Sequence, residues 1–173
     1  MSLPKWKAAY LAACIDTDGH VTINLERKPQ NLSGWKFRCE VGVTNTSLKF
    51  LENIQEMYGN GNIGLRARKG TMAGSTKPCY QLRFSTSWLR KNLIFLIPYL
   101  VIKQEKAEIA LDFLNDMERL GFGKGRSKST EEWNQLLVHR NRLIALREKG
   151  AKHIHKGVEM KLRKYEGGGP RGQ

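Results

Sequence analysis

The apolar residues of this chain change period repeatedly between residues 5 and 85, and the order of the changes leaves few architectures open. Trp6, Ala9, Tyr10, Ala13 and Cys14 recur at helical spacing over residues 5–17, and Gly19 follows as a stop signal. From His20 to Lys28 the period falls to two. Val21, Ile23 and Leu25 point one way; Thr22, Asn24, Glu26 and Lys28 point the other. After a loop at residues 29–34, residues 35–44 alternate again, with Phe37, Cys39, Val41 and Val43 opposite Lys36, Arg38, Glu40 and Gly42. Thr46 or Ser47 can cap a helix over residues 48–58, whose Phe50, Leu51, Ile54 and Met57 share one side. A second strand pair follows. Ile63, Leu65 and Ala67 alternate with Asn62, Gly64, Arg66 and Arg68, and Tyr80, Leu82 and Phe84 alternate with Gln81, Arg83 and Ser85.

Helices are predicted over residues 88–97, 99–120 and 130–149, with a linker at 121–128. Helix–strand–strand thus occurs twice before further helices, a weak internal repeat. The fold class this order fits is α+β: a four-stranded antiparallel sheet with helices on one face and extra C-terminal helices. At 173 residues and 40% apolar, the chain has material for one ordinary core. We expect a single domain over residues 1–166, with its core at about 5–120 and a helical extension at 121–166. The Gly-rich residues 167–173 are expected to be a disordered tail.

Thirty Lys and Arg against sixteen Asp and Glu leave a charge of +14, more than folding requires, so a polyanionic partner is expected. Nucleic acid is the first candidate and an anionic membrane surface the competitor. No stretch approaches the roughly 18–20 apolar residues that span a bilayer. Lys5 and Lys7 before the apolar residues 8–15 imitate a signal peptide, but Asp16 and Asp18 interrupt that run and no cleavage region follows. Cys14, Cys39 and Cys79 are widely spaced and form no CxxC pair, which fits a reducing intracellular compartment, cytoplasm or organelle matrix, and not secretion.

The polar face of the proposed sheet carries Thr22, Asn24, Glu26, Lys28, Lys36, Arg38, Glu40, Arg66, Arg68, Gln81 and Arg83. Arg and Lys suit guanine, Asn and Gln adenine, and Glu cytosine. Strands of about nine residues at roughly 3.3 Å each span about 30 Å, close to nine base pairs. Alternation alone would mark any half-buried sheet; the excess of Arg and Lys tilts it to nucleic acid. Aromatic residues reach only the fringes, at Trp35 and Tyr80, which favours double-stranded DNA over single strands read by stacking.

Residues 11–19 read Leu-Ala-Ala-Cys-Ile-Asp-Thr-Asp-Gly. This run resembles the motif of the LAGLIDADG homing endonucleases and related maturases, with Ala13 for Gly, Cys14 for Leu and Thr17 for Ala. The resemblance extends over about residues 6–120. Asn60-Gly61-Asn62-Ile63 resembles the family's link into its second hairpin, and residues 98–103 resemble the segment that brings a lysine to the active site. Ala9, Ala12 and Ala13 give a helix face with little bulk, which lets a second helix approach closely. A second copy pairing there would make a two-fold interface and bring both Asp18 carboxylates near the dyad, where they would repel unless divalent cations lay between them.

One motif occurs, so the resemblance implies a homodimer on a near-palindromic site. It further implies Mg²⁺-dependent hydrolysis of both DNA strands, with Mn²⁺ or Ca²⁺ as other possible occupants, by a protein of intron origin. In that reading Asp18 and the backbone carbonyl of Thr17 hold metal, Asn45 positions a water and Lys103 stabilises developing negative charge. A family cut across the minor groove leaving short 3′ overhangs is implied as well. An intron maturase that binds intron RNA, or a DNA-binding regulator that does not cut, would use the same scaffold.

Asp16 is expected to be structural, hydrogen bonding at the helix end. His139, His153 and His155 lack metal-ligand spacing and read as surface residues. The basic run at residues 149–164 reads equally as a solvated tail or as a phosphate contact.

Overall fold

A computed structural model describes residues 3–29, 34–67, 77–122 and 129–152. In chain order the elements are α1 (Lys5–Asp18), β1 (Gly19–Arg27), β2 (Trp35–Asn45), α2 (Leu48–Tyr58), β3 (Asn62–Ala67), β4 (Cys79–Arg83), α3 (Thr86–Leu96), a 3-10 turn (Ile97–Tyr99), α4 (Gln104–Arg119) and α5 (Thr130–Lys152). The strands form one antiparallel sheet in the order β1-β2-β4-β3. This is the α+β architecture that the alternating periods imply.

Register follows the apolar pattern. Val21 lies opposite Val41, Ile23 opposite Cys39 and Leu25 opposite Phe37, while Val43 and Ile63 both flank Leu82. A slip of one residue would turn this whole set to water. The helices cover that inner face with Leu11, Ile15, Leu51, Ile54, Leu93 and Phe113, all fully buried. The C-terminal helix belongs to the same core: Leu136 and Leu143 are buried, and Trp133 stacks on Phe37 at 5.0 Å.

Local chemistry sets the helix ends. The Ser47 hydroxyl accepts from the Phe50 N–H and the Ser85 hydroxyl from the Trp88 N–H, each at 3.3 Å. Gly59, at φ 57°, ends α2 in the left-handed conformation that glycine adopts freely. The Tyr58 hydroxyl donates to the Lys7 carbonyl at 2.7 Å and the Lys7 ammonium to the Met57 carbonyl at 2.8 Å, which ties the start of α1 to the end of α2. At Gly19 the constraint is space. A Cβ there would lie 2.5 Å from the Ile15 Cα and 2.7 Å from the Gly42 carbonyl oxygen.

Three expectations need correction. The helix expected to begin at Trp88 begins at Thr86, because Ser85 caps it. The single helix expected over residues 99–120 is a 3-10 turn, an extended link and then α4 from Gln104. The cause is the Asp16 carboxylate, which accepts from the backbone N–H groups of Val101 (2.6 Å), Ile102 (3.2 Å) and Lys103 (2.9 Å) and so holds the link out of the helix. Finally, His139 is not a surface residue. It is buried with its Nε2 2.9 Å from Asp116 Oδ2 and its ring edge against Phe113, joining α5 to α4. His153, His155, most of the 149–164 run and the 167–173 tail lie outside the described residues.

The Asp16 contacts predict a pH signature. Partial burial raises its pKa, but the three N–H donors and the Lys103 charge outweigh that, so the carboxyl sits below its ordinary value. Its stabilising contribution is therefore present above the unfolded value of about 3.9 and is lost as pH falls through the folded value. Asp16→Asn should cost on the order of 1 kcal/mol at pH 7, with the gap to wild type closing towards pH 3 in urea unfolding. A gap of constant size across that range would show that the charge is not what holds the link.

Candidate active site and nucleic-acid interface

Three elements meet at the C-terminal end of α1. Asp18 is its last residue and is exposed. Asp18 Oδ2 accepts from Asn45 Nδ2 at 2.9 Å. Asn45 ends β2, and its Oδ1 accepts from the Ser47 N–H at 2.8 Å, which sets the way its amide faces. From the start of α4, the Lys103 ammonium donates to the carbonyls of Ile15 (2.7 Å) and Asp16 (2.6 Å). Those carbonyls belong to the last turn, the negative end of the helix, and the Ile15 carbonyl also accepts from the Gly19 N–H. Burial draws the Lys103 pKa below its ordinary value, against the opposing pull of the Asp16 carboxylate. Asp18, Asn45 and Lys103, separate in sequence, thus share one corner.

Thr17 is exposed, and its hydroxyl donates to the Ala13 carbonyl at 3.0 Å. Its own carbonyl is among the last four of α1, which helical geometry leaves without an intrahelical partner. Among the described residues no three His, Cys, Asp or Glu side chains cluster as a metal site. A cation at Asp18 would need other oxygens: the Thr17 carbonyl, substrate phosphate, or a second copy's carboxylate. Mg²⁺ accepts that donor set, since it favours one or two carboxylates with phosphate and water.

The open face of the sheet starts at this corner. β1 presents His20, Thr22, Asn24 and Glu26 beside Gly42, Glu40, Arg38 and Lys36 of β2; Gln81 and Arg83 of β4 and Arg66 of β3 continue the face. Glu40 is its hub. One oxygen lies 3.3 Å from Arg83 and 3.5 Å from Arg38, and the other accepts from Asn24 at 3.2 Å. Arg38 also pairs with Glu26 at 3.0 Å. Arg66 donates to the Thr44 hydroxyl at 3.1 Å, and Lys36 and Lys28 are exposed. The Thr22 hydroxyl is buried with no partner among the described residues. Arg68 lies outside the described residues.

His20 was missed as a member of this face, although its place in the period-two run with Thr22 and Asn24 signals it. Its Nε2 lies 2.8 Å from Gln81 Nε2. Burial, opposed by Glu40 and aided by Arg66, Arg83 and Lys103, pulls its pKa down to about 4, so the ring is neutral at pH 7.

The outer face of α1 differs from the expected alanine surface. Ala12 is fully buried in the chain's own core, so it cannot touch a partner; helical rotation turns it inward with Ala8 and Ile15. Ala9 is half-buried and Ala13 exposed. With Trp6 (62% exposed), Tyr10 (40%) and Thr17, Ala13 makes an open stripe at spacings of four, three and four residues. Its two large rings lie about one and two turns to the N-terminal side of the small residue.

A LAGLIDADG-like domain profile matches residues 5–98, over half the chain. No curated protein matches it in sequence. Among solved structures it is similar to the homing endonuclease I-CvuI in complex with its target in the presence of 2 mM Ca. That match has 16% identity over 91% of this chain and 87% of that one, with a TM-score of 0.62. It is also similar to the archaeal intron-encoded homing endonuclease I-Vdi141I complexed with DNA, at 18% identity, 93% and 89% coverage, and a TM-score of 0.62. The I-LtrWI LAGLIDADG homing endonuclease bound to target DNA aligns at 17% identity over 81% of this chain and 44% of that one, with a TM-score of 0.61. The fold is that of the homing endonucleases, and the chain belongs to the LAGLIDADG-like domain family.

Proposed function

We propose that this chain is a site-specific homing endonuclease, probed best with duplex DNA, that cuts both strands of a long near-palindromic target as two copies paired through α1. The observation that carries the reading is the meeting of Asp18, Asn45 and Lys103 at one corner of a basic sheet. A fold alone would not require that corner to hold an acid, an amide and a cation. Duplex bound along the sheet would lay its backbone across it. The DNA complexes of I-CvuI and I-Vdi141I support this use of the sheet.

The residues divide the work. Asp18 and the Thr17 carbonyl offer hard oxygens to a divalent cation, and the Ca in the I-CvuI complex supports such a cation here. A bound Mg²⁺ supplies phosphate neutralisation and water activation. Asn45 holds the Asp18 carboxylate in place through its amide and sits where it can orient a water. Lys103 places a positive charge beside the phosphate, where negative charge develops on the departing 3′ oxygen. Arg, Lys, Asn and Gln on the sheet bind the duplex and read it. Each copy has one Asp18, so two cuts call for two copies, and the Trp6–Tyr10–Ala13 stripe supplies the surface for pairing. A protein of this kind is suited to spreading an intron by cutting the intronless allele.

Cleavage of a plasmid library carrying randomised inserts, in Mg²⁺, tests the activity. Wild type should give discrete linear product from a few inserts. Asp18→Asn should lower cleavage about a hundredfold or more while keeping specific binding to the same inserts. Normal cutting by that variant would remove Asp18 from the metal site. Binding to structured RNA with none to duplex would replace the reading by a maturase. Salt gives a second check. Lys36→Ala should weaken all duplexes alike and make the slope of log K against log salt shallower by about 0.9, the value for one phosphate contact. An unchanged slope would take Lys36 off the phosphate backbone.

A further inference from the structure

The side chains nearest the Asp18 corner on the open face form a pair that spans three strands. His20 of β1 lies opposite Gly42 of β2, and Gly42 lies opposite Arg83 of β4. Because Gly42 has no side chain, the imidazole occupies the space above it. A Cβ built on Gly42 would lie 2.9 Å from His20 Cε1 and 2.0 Å from the Leu82 carbonyl oxygen. The ring reaches across the strand to Gln81, bringing Nε2 of His20 to 2.8 Å from Nε2 of Gln81. On its other side Gln81 faces Gly64 of β3, again without a side chain. On its β2 side Gln81 faces Thr44, and the Arg83 guanidinium lies 3.7 Å from where a Cβ on Gly64 would stand. Among the described residues Gln81 Oε1 has no partner.

We propose that Gln81 reads adenine in the duplex and that His20 is the positioning residue that sets the Gln81 amide for that base. The proposal rests on the endonuclease reading above. A glutamine reads adenine by accepting from N6 and donating to N7, so the order of its oxygen and nitrogen along the groove decides the match. With one N–H of Gln81 given to the His20 nitrogen, the second N–H and Oε1 remain side by side for the base. Turning the amide over would put Oε1 against that nitrogen, which could bond it only once the ring proton had moved from Nδ1 to Nε2. The contact thus ties the amide order that fits adenine to the ring tautomer with its proton on Nδ1. His20 lies two residues beyond Asp18, so the base concerned sits at the inner end of each half-site, beside the cut.

The test selects duplexes from a randomised pool with the full chain and sequences those bound. Wild type should enrich adenine about tenfold at one inner position of each half-site. His20→Phe keeps a ring over Gly42 but offers no nitrogen. Both His20→Phe and Gln81→Ala should reduce that preference to about twofold or less at that position, with other positions unchanged. Gln81→Glu should move it to cytosine, an acceptor-only side chain facing the N4 donor. Loss of preference at every position alike in His20→Phe would mean a merely structural role and would overturn the proposal. So would an unaltered inner position in either His20→Phe or Gln81→Ala. A pool that wild type does not enrich at all would sink the endonuclease reading, and this inference with it; enrichment with unaltered variants would sink this inference alone.

Discussion

The Asp16 carboxylate is the fixed point on which the candidate site depends. By taking the N–H groups of Val101, Ile102 and Lys103 it stops the chain from continuing as helix after the 3-10 turn. Lys103 can then turn its ammonium back onto the last carbonyls of α1. The two acids of one motif therefore do different jobs. Asp16 spends its oxygens on backbone N–H groups, while Asp18, two residues on, makes among the described residues one hydrogen bond, to Asn45. A metal-binding role suits the second acid and not the first.

The helix that carries both acids also joins the core to a surface. Its inner side, Ala8, Leu11, Ala12 and Ile15, is buried under the sheet, and its outer side exposes Trp6, Tyr10 and Ala13. Gly19 must be small for α1 to end so close to β2, and the chain passes directly from Asp18 into β1. The proposed catalytic corner and the proposed reading face are for this reason continuous along the chain. On that face, Glu40 holds Arg38, Arg83 and Asn24 together in the absence of a partner. In the proposed complex, exchange of those contacts for bases would be a cost that the surrounding positive charge must offset.

Much of this was legible in the residues because period-two and period-3.6 patterns report burial directly. The element order, the register and the faces of β1 and β2 follow from Val21, Ile23, Val41 and Val43. What the periodicity could not show is contact between distant segments. The break before α4 was invisible because its cause, Asp16, lies 85 residues away from Val101. Ala12 was misassigned to an outer face because three small residues at helical spacing look alike, and only packing tells which side is covered. His139 read as a surface residue because its partner Asp116 is on another helix, and a polar side chain carries no sign of a buried mate. His20 was passed over for the same reason: its role depends on the missing side chain of Gly42 and on Gln81, which the alternation of a single strand does not reveal.

The central claim is geometric: α1 pairs with its copy and brings two acids to a shared cation over DNA. The distance between the two Asp18 carboxylates, in a crystal of the full chain on its selected duplex with Ca²⁺, measures it. Two chains per duplex with those oxygens within about 5 Å, the span of two Ca–O contacts of about 2.4 Å, is the expected result. One chain per duplex, or two Asp18 side chains too far apart to share any cation, would contradict it.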